Sequence, residues 1–230
     1  GKPSDVLDAQ GYYSFNEHVF MANIQSEIYG RRYTYALLML LEYKYKDKSE
    51  WKDFGTTSIE HILPQNPKTT SQWVKDFSEE QRSYYTHRIG NLCLIGRRKN
   101  SSLGNLDYQE KLKKYFEKNI GSFASSQKIY QTYPNAWTPE TVKENQERVI
   151  QDLMEIFGIK SPSTIIDDST YMEQQRSVYP NAYQPWTESD DERLVALYNE
   201  GKSISELAQM FLRNHGAIRS RILKLTGERF

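Results

Sequence analysis

The chain has 230 residues, with 30 basic and 30 acidic side chains. This balance excludes a large overall field that would attract nucleic acid, so any such attraction must come from local patches. The single cysteine, Cys93, excludes an internal disulfide and a cysteine zinc site. No apolar run approaches the ~18 residues needed to span a bilayer, and no secretory signal opens the chain, so we expect a cytoplasmic protein without a membrane partner.

The first half of the chain alternates helical and strand patterns. Apolar residues at helical spacing predict the first two helices, and short apolar runs predict two strands. Ser78 and Gln81 predict a capping box in the long insertion between the strands. The predicted elements are helices over 15–29 and 31–46, a strand over 58–63, helices over 71–76 and 78–85, and a strand over 92–96.

The second half begins with two further predicted helices, over 106–118 and 138–157. Thr138 has the character of an N-cap, Pro139 suits the first helical turn, and Gly158 suits the end of the helix. The helix over 138–157 is therefore the most clearly bounded element of the sequence.

A change of composition then predicts a domain boundary. Residues 160–185 are rich in Ser, Pro, Asp, Gln and Tyr and lack apolar periodicity, which predicts a linker. Three short helices follow, the first two capped by Thr187 and Ser203 and the third over 215–225. We expect an α+β chain, with a mainly helical domain over 1–159 and a three-helix bundle over 186–230.

The segment 59–64, Ile-Glu-His-Ile-Leu-Pro, places a carboxylate beside an imidazole on the first predicted strand. About thirty residues later the chain reads Gly-Asn-Leu-Cys-Leu over 90–94, and Arg-Arg-Lys-Asn follows over 97–100. A carboxylate beside a histidine is thus followed by one asparagine at a hairpin and a second asparagine nine residues on.

These motifs resemble the ββα-metal core of HNH endonucleases. The resemblance is closest to the C-terminal HNH domain of the GmrSD-type (type IV, modification-dependent) restriction enzymes, which shows I-E-H-I-L-P-Q, a spacer with tryptophan, then G-N-L-x-L and a following asparagine. This chain has Trp73 in the spacer, and the segments 105–108 with Lys111 and 137–140 resemble later landmarks of the family. The similarity spans roughly residues 30 to 157.

The resemblance implies a metal-dependent DNA endonuclease in bacterial defence against phage, often aimed at modified DNA. It makes His61 the general base, Asn91 the hairpin asparagine, and Glu60 and Asn100 the ligands of Mg²⁺ or Mn²⁺. Asn100 stands where many HNH enzymes have histidine, so the chain is an H-N-N variant. The chain begins with Gly1 instead of methionine, and the family implies a preceding N-terminal nucleotide-sensing domain or subunit.

The residue types suit phosphodiester hydrolysis. A water must lose a proton as it attacks, and imidazole accepts a proton near physiological pH. Carboxylate and amide oxygens are the ligands that Mg²⁺ and Mn²⁺ prefer. Neighbouring residues of a strand point to opposite faces, so we expect a bulge or twist that turns Glu60 and His61 toward one phosphate. Asn91 is expected to join the arms of the hairpin and thereby position His61.

Basic residues at two places are predicted to contact DNA. Arg97, Arg98 and Lys99 lie beside the proposed metal loop, where a solvated turn is the alternative. The C-terminal helices resemble helix-turn-helix or Myb/SANT-like domains, and a protein-interaction module is the alternative. There the predicted phosphate contacts are Arg213, Arg219, Arg221 and Lys224, a set with no acidic residue among them.

The sequence leaves two other functions open. One is a DNA-binding regulatory protein with an inactive HNH core, and the other is an RNA endonuclease. With one active site per chain, a monomer is expected to nick DNA, and a double-strand break would need a dimer or two visits.

Overall fold

The computed structural model describes residues 15–46, 56–97, 103–116, 123–160 and 168–227. The chain divides into two compact units, with the boundary between residues 165 and 166. We call them the first unit and the second unit. Within the described ranges, no helix is long and apolar enough to cross a membrane.

The first unit consists of helices around one β-hairpin, which confirms the predicted α+β class. Its helices are α1 (Glu17–Ile24), α2 (Thr34–Tyr45), α3 (Gln72–Asp76), α4 (Glu79–Tyr85), α5 (Tyr108–Phe116), α6 (Ala124–Thr132) and α7 (Pro139–Phe157). Its strands are β1 (Thr57–His61) and β2 (Leu92–Gly96), with a 3-10 turn (Ile89–Asn91) directly before β2. α1 ends five residues before the predicted end at 29, because the chain there turns to form a bridge between Glu27 and Arg88.

The hairpin has an unbroken antiparallel register, in which Glu60 lies opposite Cys93 and His61 lies opposite Leu92. The predicted bulge is therefore absent from this strand pair. Because side chains alternate between the faces of a strand, Glu60 and His61 lie on opposite faces. Ile59 and Leu94 share the face of His61, and both pack into the main core.

The main core lies between that face of the hairpin and the helices α1, α2 and α7. Burying apolar surface of this kind is the chief favourable contribution to folding. Its buried members are Met21, Ile24, Ile28, Leu37, Leu38, Leu41, Ile89, Leu92, Leu94, Phe123, Val149, Ile150, Leu153, Met154 and Ile159.

Two helix caps that the sequence predicts are present in the first unit. Ser78 and Gln81 form the reciprocal capping box at α4. Thr138 caps α7 with Thr141 as its reciprocal partner, and Gly158 ends that helix in the left-handed region, at φ 71°. A glycine adopts this conformation without the clash that a Cβ would cause.

α6 has no counterpart among the predicted elements. A buried carboxylate from α2 satisfies its free N-terminal amides: Glu42 accepts hydrogen bonds from Ala124 N at 2.9 Å and from Ser125 N at 2.8 Å. The acceptor that caps α6 comes from another helix. The sequence of α6 itself therefore contains no N-cap signal.

The second unit contains four described helices: α8 (Asp168–Val178), α9 (Glu188–Asn199), α10 (Ile204–Phe211) and α11 (His215–Thr226). Thr187 and Ser203 cap α9 and α10 with reciprocal boxes, as predicted. The bundle core is formed by Leu194, Leu207, Ala208, Phe211, Ile218 and Ile222.

The segment predicted to be a linker is partly folded. α8 lies inside it, and Ala182 and Tyr183 are buried. Asn181 donates from its backbone to Leu212 O at 3.1 Å and from its side chain to Phe211 O at 3.0 Å. These contacts attach the end of the predicted linker to the bundle.

Candidate active site

His61 ends β1 and lies within a group of polar and aromatic side chains. Its Nε2 is 3.3 Å from Nδ1 of His87, and its Nδ1 is 3.3 Å from Nε2 of Gln65. The Tyr29 ring meets the His61 ring edge-on at 4.2 Å and stacks on the His87 ring at 5.4 Å. His61 is 6% exposed and Tyr29 is 40% exposed, so the group reaches from the interior to the surface.

The imidazoles are neutral at neutral pH. Burial lowers the pKa of His61 well below its usual value, and His87 and Lys111 lower it further. Burial lowers the pKa of His87 to about 4. With the Gln65 amide nitrogen as donor, His61 Nδ1 is the acceptor, and this tautomer carries its proton on Nε2 toward His87. A neutral histidine of this kind can accept a proton from water.

Glu60 faces the other side of the hairpin and is paired with Lys111 of α5. Lys111 Nζ is 2.6 Å from Glu60 Oε1 and donates to His61 O at 2.7 Å. The two side chains are 0% and 6% exposed. Burial raises the pKa of Glu60, and the Lys111 ammonium opposes that rise. One lysine thus holds the carboxylate of Glu60 and the backbone of the residue after it.

Asn91 joins the 3-10 turn to the segment that follows His61. Its Oδ1 accepts from Leu63 N at 2.8 Å and from Trp137 Nε1 at 3.1 Å. Its Nδ2 donates to Leu63 O at 2.9 Å and to Thr86 O at 3.0 Å. Asn91 is fully buried. Its contacts are therefore with the scaffold around His61, and they hold the chain directly after the histidine.

α7 holds the same turn from the opposite side. Gln146 Oε1 accepts from Gly90 N at 2.5 Å, and Asn145 Nδ2 donates to Gly90 O at 2.6 Å. A Cβ at Gly90 would lie 2.7 Å from Gln146 Cα. Only glycine permits this approach, so packing requires the glycine of the Gly-Asn pair.

One of the two predicted metal ligands, Glu60, lies among the described residues. Glu60 offers a hard carboxylate oxygen of the kind that Mg²⁺ prefers, although Lys111 holds its Oε1. Asn100 lies outside the described residues. Among the residues that the structure describes, no group of three or more His, Cys, Asp or Glu side chains could hold a metal ion.

Comparison with protein families identifies the first unit. Residues 16–152, more than half of the chain, match the family described as GmrSD restriction endonucleases, C-terminal domain. The chain belongs to this family. Membership indicates a nuclease function for the GmrSD domain, whose matched region contains His61, Glu60 and Asn91. Comparisons with curated proteins and with solved structures found no significant match. The family match ends before the second unit begins.

The basic residues predicted beside the metal loop are only partly described. In the GmrSD domain Arg97 follows β2 and is exposed, and its backbone amide donates to Thr56 O at 3.0 Å. Arg98 and Lys99 lie outside the described residues, together with Asn100. Contact of these residues with DNA stays a prediction.

In the second unit, the predicted basic surface is smaller than the sequence suggested. Arg213 is 4% exposed and donates to Gln184 O at 2.8 Å and Pro185 O at 3.0 Å. Its assignment to DNA is wrong, because its guanidinium is used inside the bundle, where it also lies 4.2 Å from the centre of the Trp186 ring. Arg221 forms a bidentate pair with Asp191 at 2.6 Å.

Arg219 and Lys224 remain exposed on α11. No acidic residue lies among the basic set in the sequence, but Asp191 reaches Arg221 from α9 across the bundle. The exposed positive charge of the predicted set is therefore that of Arg219 and Lys224, with Arg221 partly neutralised.

Three residues of the GmrSD site were not assigned to it from the sequence. Lys111 was noted only as a family landmark, although it shares the buried side of α5 with Tyr108 and Tyr115, a spacing that places a charge in the core. His87 follows the helix predicted over 78–85, and Tyr29 ends the helix predicted over 15–29. No local pattern connects His87 or Tyr29 with His61.

Proposed function

We propose that the chain is an HNH-type endonuclease that hydrolyses DNA phosphodiesters, with His61 as the general base. The observation that carries this proposal is the neutral His61 imidazole, held between His87 and Gln65 beside a hairpin fixed by Asn91. Membership of the restriction endonuclease family supports the substrate class. Phage DNA or modified DNA is the proposed target in bacterial defence.

The two ring nitrogens of His61 have different roles in this proposal. Nε2 is held against His87 in the interior, whereas Nδ1 meets Gln65, an exposed residue. A water that replaces the Gln65 amide at Nδ1 gives its proton to that nitrogen as its oxygen attacks phosphorus. The bond from phosphorus to the 3′ oxygen breaks, and the leaving oxygen takes a proton from solvent. The products are a 5′ phosphate and a 3′ hydroxyl.

Mg²⁺ or Mn²⁺ is part of the proposal, with Glu60 and Asn100 as the residues that would hold it. Such an ion would supply charge neutralisation at the phosphate when bound. Because Glu60 and His61 lie on opposite faces of β1, the proposal requires the Glu60 carboxylate to turn from Lys111 toward the side of His61 when the ion and DNA bind. Lys111 keeps the buried carboxylate of Glu60 beside a counter-charge. Its contact with His61 O holds the backbone between the carboxylate and the imidazole.

A plasmid-nicking assay tests this function. The full chain is incubated with supercoiled plasmid and Mg²⁺ or Mn²⁺, and the relaxed product is measured over time. We expect nicking that EDTA stops and that His61→Ala reduces at least ~100-fold, since general-base catalysis contributes factors of about 10² to 10⁴. His18→Ala, at an exposed histidine on α1, is the matched control and should retain activity.

Three results would overturn the proposal or part of it. Nicking that survives His61→Ala excludes His61 as the base. DNA binding without nicking under either metal favours a regulatory protein with an inactive core. Faster cleavage of a matched RNA strand would show that the substrate is RNA and not DNA.

We also propose that the second unit binds DNA through α11. Leu212, in the left-handed region at φ 54°, makes the tight turn between α10 and α11, and α11 presents Arg219 and Lys224 to solvent. A helix with this arrangement can lie against phosphates. Arg219→Gln with Lys224→Gln should lower the salt slope of DNA binding by up to about 2, because each lost phosphate contact removes ~0.9. An unchanged slope favours a protein-interaction module.

A further inference from the structure

A four-residue loop between α1 and α2 lies against the two histidines of the site. We call Tyr29, Gly30, Arg31 and Arg32 the 29–32 loop. The ring of Tyr29 contacts both His61 and His87. Arg31 and Arg32, the next two side chains, are both exposed. The loop therefore combines an aromatic surface and two cations at the edge of the proposed active site.

Backbone contacts fix this loop to the residues of the site. Ile28 N and Tyr29 N both donate to His87 O, at 3.0 and 3.2 Å. Gly30 has φ 82°, a left-handed conformation that reverses the chain, with open space where a Cβ would lie. The hydroxyl of Thr34 at the start of α2 donates to Ile28 O. The loop is thus ordered by the same segment that supplies His87.

The charges around the loop favour a polyanion. Glu27 is close enough to Arg31 and Arg88 for both to lower the pKa of its carboxyl, against a larger rise from burial. Arg88 is buried, so the positive charge that the loop presents at the surface is that of Arg31 and Arg32. An electrostatic preference for phosphate follows from this excess.

Tyr29 has the properties of a stacking residue. It is 40% exposed, yet its orientation is set by contacts with two imidazole rings. A ring that is already ordered loses little conformational freedom when a base stacks on it. Because every base has a flat face, such contact tolerates any sequence and positions the strand without selecting it.

We propose that the 29–32 loop is a DNA-binding site that delivers the target strand to His61. Arg31 and Arg32 contact phosphates next to the cleaved one, and Tyr29 stacks on an adjacent base that has left the duplex stack. The proposal rests on the nuclease function above and names the residues that hold the substrate of that same site.

The first experiment measures the salt dependence of binding. The full chain is titrated with a fluorescent duplex in EDTA, over a series of salt concentrations. Arg31→Gln with Arg32→Gln should lower the slope of log K against log salt by up to about 2, since each lost phosphate contact removes ~0.9. Arg31→Lys with Arg32→Lys should keep most of the slope. The control is Lys113→Gln with Lys128→Gln, which removes two exposed charges from α5 and α6.

The second experiment detects the stacking contact directly. Duplexes with 5-iodouracil at successive positions are irradiated with the full chain, and the crosslinked peptide is identified by mass spectrometry. We expect a crosslink at Tyr29 that Tyr29→Leu abolishes and Tyr29→Phe retains. Tyr29→Leu should also weaken DNA binding roughly 5-fold or more, and Tyr29→Phe should not. Thermal unfolding of each variant establishes that it is folded.

The outcomes separate this proposal from the nuclease proposal. Suppose that the wild type nicks DNA, but that Arg31→Gln with Arg32→Gln and the single variant Tyr29→Leu bind DNA as the lysine control does. The loop proposal is then wrong and the nuclease proposal stands. If the chain binds DNA through the loop but never nicks it, the nuclease proposal fails and the binding site stands. Absence of any crosslink in the segment containing Tyr29, or tighter loop-dependent binding of RNA than of DNA, overturns the DNA assignment.

Discussion

Replacing Lys111 by methionine should destabilise the first unit strongly. The substitution keeps the length of the side chain but removes the ammonium that lies 2.6 Å from Glu60 Oε1 and 2.7 Å from His61 O. Both partners of the ion pair are buried, with side-chain exposures of 0% and 6%. Removing one partner of a buried pair leaves an uncompensated charge and costs about 3–5 kcal/mol.

The expected loss is large enough to measure by thermal and denaturant unfolding. For a unit of this size, 1 kcal/mol corresponds to a Tm change of about 2–4 °C, so Lys111→Met should lower the Tm by roughly 10 °C. Fluorescence of Trp73 and Trp137 reports on the first unit. The transition of the second unit, which contains Trp186, serves as an internal control.

A double-mutant cycle assigns the loss to the ion pair. Glu60→Gln with Lys111→Met leaves neither charge buried, so the double variant should be more stable than Lys111→Met alone. In Lys111→Met the pKa of Glu60 rises further above that of the unfolded chain, so the folded state binds an extra proton. The penalty relative to wild type is therefore smaller at low pH and grows as the pH rises through that raised pKa.

Two results would refute this reasoning. One is a loss below ~1 kcal/mol for Lys111→Met, and the other is a coupling energy below ~0.5 kcal/mol between the two sites. Either would mean that solvent reaches Glu60 and Lys111 and screens the pair.

The remaining predictions concern the residues around the hairpin turn. Burial lowers the pKa of His87 to about 4, whereas the unfolded chain binds that proton below about 6.5. Stability should therefore fall between these two values as the pH is lowered, and His87→Gln should remove roughly 3 kcal/mol of that fall, as denaturant midpoints at several pH values will show. Gly90→Ala forces a Cβ to within 2.7 Å of the Gln146 backbone and should cost about 1–3 kcal/mol in thermal unfolding. Gly96→Ala, which meets open space, is the matched control, and an equal loss in both would contradict the packing argument. Asn91→Ala removes a side chain that makes four buried hydrogen bonds and should cost at least ~3 kcal/mol. Asn91→Asp should be no milder, because it keeps the acceptor but places a second oxygen against Leu63 O and Thr86 O in a buried site. A loss below ~1 kcal/mol for Asn91→Ala in urea unfolding would show that the turn does not depend on it.

The N-terminal caps of helices were the most predictable part of the fold. The caps at Ser78, Thr138, Thr187 and Ser203 were all read from the sequence, and each is present. A capping box joins residues three positions apart, so its signal is complete within a few letters. Gly158 ends α7 for an equally local reason.

The sequence did not predict α6 or α8. α6 depends on Glu42, which lies 82 positions from Ala124. α8 is polar and lacks apolar periodicity, so the sequence placed it in a linker. The sequence predicts Arg213 as a DNA contact because its neighbours along the chain do not reveal the carbonyl groups of Gln184 and Pro185 that it meets in the fold.

The sequence by itself determined the family of the chain and the residues proposed to carry its chemistry, because the Glu60-His61 pair and the Gly90-Asn91 pair occur in the order and spacing expected for that family. Only the tertiary structure decided which side chains meet them. His87 and Lys111 lie 26 and 50 positions from His61 and reach it from opposite faces of the hairpin. Such encounters depend on how helices pack on each face, and packing is a property of the whole fold that no short segment encodes.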